Sequence, residues 1–334
     1  MAERPWGFWT ESKLDMLSAY LPAFTTASKQ RARSTVYLDL FAGQAANISR
    51  ETGRAIEGSL LRALRTDPPF TVLRGFELAQ ARAESLKRAC QAEFPYRDVL
   101  VHPGDVHETL RPALEALLRY WWSPTFAFID PDGVEARWEL LETLVAFKAP
   151  GEKKVELFLL LPDPQIGRVV NDKLDPDNLD RAEQQVTDLF GSSEWRPILA
   201  ARRAGVLDAE QARDELTNLM RWRLETALGY RFTHTLRLTN TTGVPLYDMV
   251  FASDHGVGDK IMKSVYGKAA TRFPQMRQEA RARLRDRREQ ETGVAGLFTH
   301  EELLQDAPLS PGETYQHRPP TPPYSETVQG RDDV

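Results

Sequence analysis

Four acidic residues stand where apolar runs end, the position from which a carboxylate can meet a ligand. Asp39 follows Val36-Tyr37-Leu38, Glu77 follows Val72-Leu73-Arg74-Gly75-Phe76, and Asp130 follows Phe126-Ala127-Phe128-Ile129. Asp105 comes just after the shorter run 98–102, in Pro103-Gly104-Asp105. Such runs read as buried parallel strands, and open α/β sheets bind ligands at the carboxyl ends of their strands. A ligand with ribose and adenine asks for three things there. Small residues after the first strand let the backbone approach, an acid after the second accepts ribose hydroxyls, and a polar group after the third receives the adenine amine.

Asp39 with Ala42-Gly43-Gln44-Ala45-Ala46-Asn47, then Glu77, then Asp105 offer these in order. The loop is not G-x-G-x-x-G, so no pyrophosphate cradle is expected. A cofactor without phosphates fits better, and S-adenosylmethionine is that cofactor. The plainer alternative is that these acids cap helices, where aspartate is favoured; Asp105 before 106–122 suits that role.

The fourth strand end, Asp130-Pro131-Asp132-Gly133, would then face the transferred methyl. Asp130 and the Pro131 carbonyl can accept hydrogen bonds from a target amine, and alignment of the nucleophile supplies most of the acceleration. A type I turn is the alternative for the same four residues. Two cations are candidate substrate contacts. Lys13 reaches the site if its helix packs at the sheet edge and is otherwise solvated. Arg168 could hold an anionic group or pair with a neighbouring acid. No cluster has metal-ligand spacing and no G-x-S-x-G nucleophile elbow occurs.

The elements that must position these residues alternate. Strand patterns at 36–40, 71–77, 98–102, 126–130 and 155–161 are separated by helical ones at 58–65, 79–93, 106–122 and 135–148, with an amphipathic helix over 10–24 before them. That is a parallel sheet of βαβ units. A polar helical stretch follows at 162–229. Two strand patterns, 230–238 and 246–253, are then joined by a turn-rich link short enough to require an antiparallel pair. The expected fold is α/β: a seven-stranded Rossmann-like methyltransferase sheet, five parallel strands closed by an antiparallel hairpin, with a helical insertion at 162–229. The catalytic-type domain is expected over 1–265 and a charged helical segment over 266–303. The Pro-rich tail over 304–334 is expected to be disordered. Seven arginines between 272 and 288 are interleaved with acids, which favours a solvated, salt-bridged face over a nucleic-acid contact.

Bulk properties narrow the class. A net charge of −5 leaves no general polycation field for nucleic acid. The single cysteine, Cys90, excludes an internal disulfide and a Cys-cluster metal site. No apolar stretch reaches the ~20 residues of a membrane span, and the N-terminus lacks the apolar core of a signal peptide, so a cytoplasmic protein is expected.

Taken in order, these motifs resemble the three-Cys-motif partner (TcmP) family. Its landmarks match Lys13 in Ser12-Lys13-Leu14, Tyr37-Leu38-Asp39-Leu40-Phe41-Ala42-Gly43, Gly58-Ser59, Phe76-Glu77, Gly104-Asp105 and Phe128-Ile129-Asp130-Pro131 with Gly133. Leu189-Phe190-Gly191 with Trp195, Leu246-Tyr247, Phe251-Ala252-Ser253 and Ile261-Met262 complete the set, which spans roughly 6–265. Gln44-Ala45 stands where Pro-Gly is usual, and Asp132 where an aromatic is usual. The resemblance implies a methyltransferase-like domain working beside a separate three-cysteine, radical-SAM-like partner protein. Three functions are compatible with it. One is methylation of an amine or hydroxyl on a nucleic acid or modified nucleotide. Another is a non-catalytic docking role for the partner. The third, methylation of a small molecule, requires residues 162–229 to close a pocket.

Overall fold

The computed structural model describes residues 5–170, 175–292 and 315–325. Its main sheet has seven strands. In chain order these are β1 (Val36–Asp39), β4 (Val72–Glu77), β5 (Asp98–Pro103), β6 (Thr125–Ile129), β7 (Glu156–Leu161), β8 (Phe232–Thr239) and β9 (Pro245–Ser253). A small second sheet pairs β2 (Ala46–Ile48) with β3 (Ala55–Glu57). The spatial order is β5-β4-β1-β6-β7-β9-β8, with β9 antiparallel to both its neighbours. This is the α/β sheet expected from the sequence, five parallel strands closed by an antiparallel hairpin. β1 lies between β4 and β6, so the topological switch, where ligands bind, falls beside its carboxyl end.

β1, β4, β6 and β7 are buried on both faces, and their residues alternate between two cores. Val36, Leu38, Ala127, Ile129, Leu157, Leu159 and Val250 face one, which is largely aliphatic. Tyr37, Phe126, Phe128, Phe158 and Phe251 face the other, where Tyr20 and Phe24 of α1 (Phe8–Lys29) meet them. The second face is also covered by α2 (Ser59–Leu64), α3 (Gln80–Glu93) and α10 (Gly256–Thr292). The first is covered by α4 (Val106–Glu115), α5 (Trp138–Ala146) and the insertion. Within 162–229 the chain forms α6 (Asp163–Val169), α7 (Pro176–Phe190), α8 (Trp195–Arg203) and α9 (Ala209–Thr226).

Four features differ from the sequence expectation. The β2–β3 hairpin went unseen because its strands are three residues each and mostly exposed. It is held by the N-terminal segment: the Trp6 N–H donates to Ile48 O (2.9 Å) and the Arg50 N–H to Trp6 O (2.7 Å). The helix after β5 stops at Glu115 instead of 122, because Leu117 leaves helical dihedrals and a 3-10 turn follows at Leu118–Tyr120. α10 is one helix from Gly256, packed along α1, with no separate segment opening at 266.

Three arginines of α10 donate to backbone or hydroxyl oxygens. Arg277 reaches Thr239 Oγ1 (3.4 Å), Arg281 the Thr241 carbonyl and Arg287 the Arg50 carbonyl (2.8 Å). One i,i+4 ion pair, Arg283–Glu279 at 3.6 Å, joins residues of this helix among those described.

The tail also departs from expectation over 315–325, where it is an extended strap lying on α9 and β8. The Tyr315 hydroxyl meets His234 Nδ1 (2.8 Å), and Arg221 donates to the Arg318 carbonyl (2.6 Å). Asn218 exchanges two bonds of 2.9 Å with the backbone of Thr321. Proline limits the freedom such a segment loses on docking, and the strap supplies partners to polar groups beside the edge strand β8. The rest of the tail lies outside the described residues.

Candidate functional site

A cleft of about 710 Å³ opens at the carboxyl edge of the sheet, across the switch point. One half is built on the ends of β1, β4 and β5. Ala42 and Gly43 line it, with the Ala42 N–H tied to Phe76 O (2.8 Å) and Gly43 at φ +60°, a conformation that favours glycine. The loop returns tightly. A Cβ on Gly58 would lie 2.2 Å from the Gln44 carbonyl oxygen, so that position accepts only glycine without moving backbone.

Glu77 ends β4 inside the cleft and is 6% exposed. Its Oε1 accepts from the Ala79 N–H (2.8 Å) and from Arg82 Nε (2.7 Å) and Nη2 (2.6 Å). Oε2 makes no bond to any described residue and is open to a ligand diol. Leu78, the next residue, is 67% exposed and lines the same half, an apolar surface against which a planar ring could lie.

Asp105 does cap α4: its Oδ1 accepts from the His107 N–H (2.9 Å) and faces His107 Nδ1 (2.7 Å). His107 Nε2 accepts from the Arg137 N–H (3.3 Å), which places the ring proton on Nδ1. Burial opposes the charge on Asp105, but the two His107 bonds outweigh it and hold the carboxyl below its ordinary range. The cap uses only Oδ1, so the capping and ligand roles are compatible.

The other half lies at the ends of β6 and β7 and the start of β9. Lys13 is buried, and its ammonium binds Oδ2 of Asp130 directly while lying 5.8 Å from the Tyr247 ring centroid. The helix carrying Lys13 thus packs at the sheet edge, and the solvated alternative is discarded. Asp130, Pro131 and Asp132 line this half, and Gln165, Gln185 and Asp188 of the insertion complete its wall.

One candidate is not brought to the cleft. Asp39 is fully buried beneath its wall, because strand alternation points it to the same face as Tyr37, whose hydroxyl donates to it (3.2 Å). Burial raises its pKa to about 7, against the Ser59 and Tyr37 hydroxyls, which favour the charge. It therefore supports the β1 loop from below and is a correction to its expected role as a cofactor contact. Arg168 belongs to α6, but its side chain lies outside the described residues. Leu78, Arg82, His107 and the insertion glutamines were missed. Leu78 alone carried a signal, being an apolar residue just past an acidic strand end.

Among the described residues no helix is long and apolar enough to cross a membrane, and no group of His, Cys, Asp or Glu could hold a metal. No family model matches the chain, and no curated protein matches it. Solved structures do resemble it. A Legionella pneumophila protein shares 12% identity over 77% of this chain and 90% of its own, with a TM-score of 0.41. An O-methyltransferase from Bacillus cereus, solved with SAH, shares 12% over 71% and 80%, with a TM-score of 0.37. The O-methyltransferase TomG from Streptomyces achromogenes, solved with SAM, shares 15% over 70% and 79%, with a TM-score of 0.36. At these identities a functional reading rests on the cleft's own residues.

Proposed function

We propose that the chain is an S-adenosylmethionine-dependent methyltransferase acting on an amine or hydroxyl of a small, nucleotide-sized acceptor. The observation that carries this reading is the division of one cleft into two chemically different halves at the switch point. The first half suits an adenosyl group: Glu77 Oε2 for the ribose, Leu78 and Val106 for the ring, Asp105 for its amine, and small residues Ala42 and Gly43 where backbone must come close. When bound, the cofactor supplies an electrophilic methyl on a positively charged sulfur.

Asp130 orients the acceptor in the second half. Lys13 holds Oδ2, and Oδ1, which bonds no described residue, can accept the acceptor's N–H or O–H and fix its lone pair toward the methyl. The acceptor class follows from charge and closure. Lys13, Arg82 and Arg137 in the lining are outnumbered by Glu77, Asp105, Asp130, Asp132, Glu135 and Asp188, an arrangement that attracts a cation and repels a polyanion. The insertion also walls the cleft, as small-molecule methylation requires. These points favour a small acceptor over a nucleic-acid chain.

Calorimetric titration with S-adenosylhomocysteine tests the reading. The wild type binds it, and Glu77→Ala weakens it at least about tenfold, as expected for a lost hydrogen bond to a charged group. A wild type that binds nothing at millimolar concentration overturns the proposal.

The TcmP resemblance supports a second reading, a docking partner for a three-cysteine protein. One observation favours it: Glu77, Asp105 and Asp130 each already have a partner in Arg82, His107 and Lys13. Asp130→Ala separates the two. Catalysis predicts lost turnover with S-adenosylhomocysteine still bound; docking predicts no turnover in any variant and unchanged partner affinity.

A further inference from the structure

A second cleft, of about 740 Å³, opens at the opposite edge of the sheet, where β6 and β7 begin and β9 ends. Its floor is Glu156, whose Oε2 accepts from the Tyr20 hydroxyl (2.5 Å) and Oε1 from Ser253 (2.7 Å). Its walls include Ala23, Ala27, Pro124 and Ile261, and its polar lining holds Arg31, Lys153 and His255 together with Glu152 and Asp254, the last neutralised by Lys154 (2.9 Å).

One contact there is between two donors. His255 Nδ1 accepts the Val257 N–H (3.1 Å), so the proton of the neutral ring is on Nε2. Arg31 Nη1 lies 3.1 Å from that Nε2, and a guanidinium has no lone pair to offer. Burial, with the nearby Arg31 and Lys153 charges, keeps the ring below its ordinary pKa and so favours this neutral form. Two N–H groups therefore converge without an acceptor between them. Neither Arg31 nor Lys153 has a carboxylate partner among the described residues; the Lys153 ammonium has only the Asp254 carbonyl, at 3.5 Å. An anion at this point would satisfy all three groups. Both oxygens of the floor carboxyl are already bonded to hydroxyls, while the donors gather around Arg31 and His255, so the polarity is head toward these donors and apolar body along Ala23, Ala27 and Pro124.

We propose that this cleft binds an amphipathic small molecule, its anionic head held by Arg31, His255 Nε2–H and Lys153 and its apolar body lying over Ala23, Ala27 and Pro124. The volume falls within the roughly 300–1,000 Å³ of small-molecule sites. Nothing in the methyl-transfer reading requires this site, and the two are tested separately.

Calorimetry with decanoate, decyl phosphate and decanol on the full chain decides it. At least one of the two anions binds saturably, one per chain, and at least tenfold more tightly than decanol; the tighter of the two identifies the head as carboxylate or phosphate. Arg31→Ala weakens that anion tenfold or more and leaves decanol unchanged. Ala27→Phe, which fills the cleft, abolishes all binding. Arg31 is exposed, so its variant is expected to melt at the wild-type temperature and to report binding alone. Saturable binding by neither anion overturns the proposal, as does anion affinity that Arg31→Ala does not change.

Discussion

The two edges of the sheet carry clefts of nearly equal volume and opposite character. At the carboxyl edge, acids outnumber bases and each key carboxylate has one oxygen tied and one available. At the amino edge Glu156 is buried with both oxygens bonded, and the rim sets Arg31, Lys153 and Lys154 against Glu152 and Asp254. The difference follows from how each edge is made. At the carboxyl edge, Glu77, Asp105 and Asp130 stand at or just past strand ends and line the opening, each with one oxygen left for a ligand. The amino edge is assembled from a helix end, two strand starts and a strand end, so an acid there is packed into the core. The first arrangement suits catalysis, and the second stores pH-dependent stability.

The largest expected effect breaks the carboxyl edge alone. Asp130→Asn keeps the shape of the side chain but weakens its acceptor strength and its bond to Lys13. Turnover is expected to fall about a thousandfold, within the span seen for positioned acid–base groups. Affinity for S-adenosylhomocysteine should remain within about twofold, and stability should change little. A variant with wild-type turnover would remove Asp130 from the chemistry and the main contrast between the edges with it.

The amino edge should show the reverse. Burial raises the Glu156 pKa to about 7 from an ordinary 4.5, against the Tyr20 and Ser253 hydroxyls, which favour the charge. Between those values the folded chain keeps a proton that the unfolded chain has lost. Stability therefore falls as pH rises through that window, by at most about 1.4 kcal/mol per pH unit, and is flat above it. Glu156→Gln removes this share, so urea unfolding at pH 5 and 8 should show a smaller loss than in the wild type, by about 2–3 kcal/mol. Asp39, also raised to about 7, contributes a similar slope that remains in the variant. An unchanged loss would mean that Glu156 is ionised in the fold. Turnover at one pH should be unaffected.

Most of the carboxyl edge was legible in the sequence because strand runs are local. Each of the seven strands ends within one residue of where its sequence pattern ends, and Glu77, Asp105 and Asp130 stand at or just past three of those ends. Asp39 shows the limit: the run places it at the strand end, but only the pleat decides whether it faces the opening or Tyr37. Lys13 depended on the angle at which α1 packs, which no local pattern encodes. The amino-edge cleft was invisible, since Arg31, Lys153 and His255 belong to three unrelated segments. The strap was misread because composition alone cannot tell a proline-rich segment that docks from one that does not.

That strap allows a smaller test, on a region belonging to neither edge. Ending the chain after residue 314 removes the bonds to His234, Arg221 and Asn218. Each is worth about 0.5–1.5 kcal/mol net, and the entropy of ordering the segment offsets much of it, so the loss should be about 1–2 kcal/mol by urea midpoint. Both clefts should keep their ligand affinities. A loss of S-adenosylhomocysteine binding in the truncated chain would show that the strap is coupled to the carboxyl edge.

The smallest expected effect concerns α10, where a basic surface would add a third region to the comparison. Arg281 and Arg287 are directed at the Thr241 and Arg50 carbonyls, so these guanidinium groups brace the β8–β9 turn and the loop joining β2 to β3. A chain of net charge −5 also repels polyanions at long range. Replacing both arginines with glutamine should change affinity for a duplex RNA oligonucleotide by less than about twofold and leave its salt dependence as it was. A bracing role predicts instead a modest loss of stability, about 0.5–1.5 kcal/mol for each bond removed. If the log-log salt slope fell by about one for each arginine replaced, phosphate contacts would be present on this helix. The acceptor would then have to be reconsidered as a nucleic-acid chain entering from the α10 side, despite the acidic lining of the cleft.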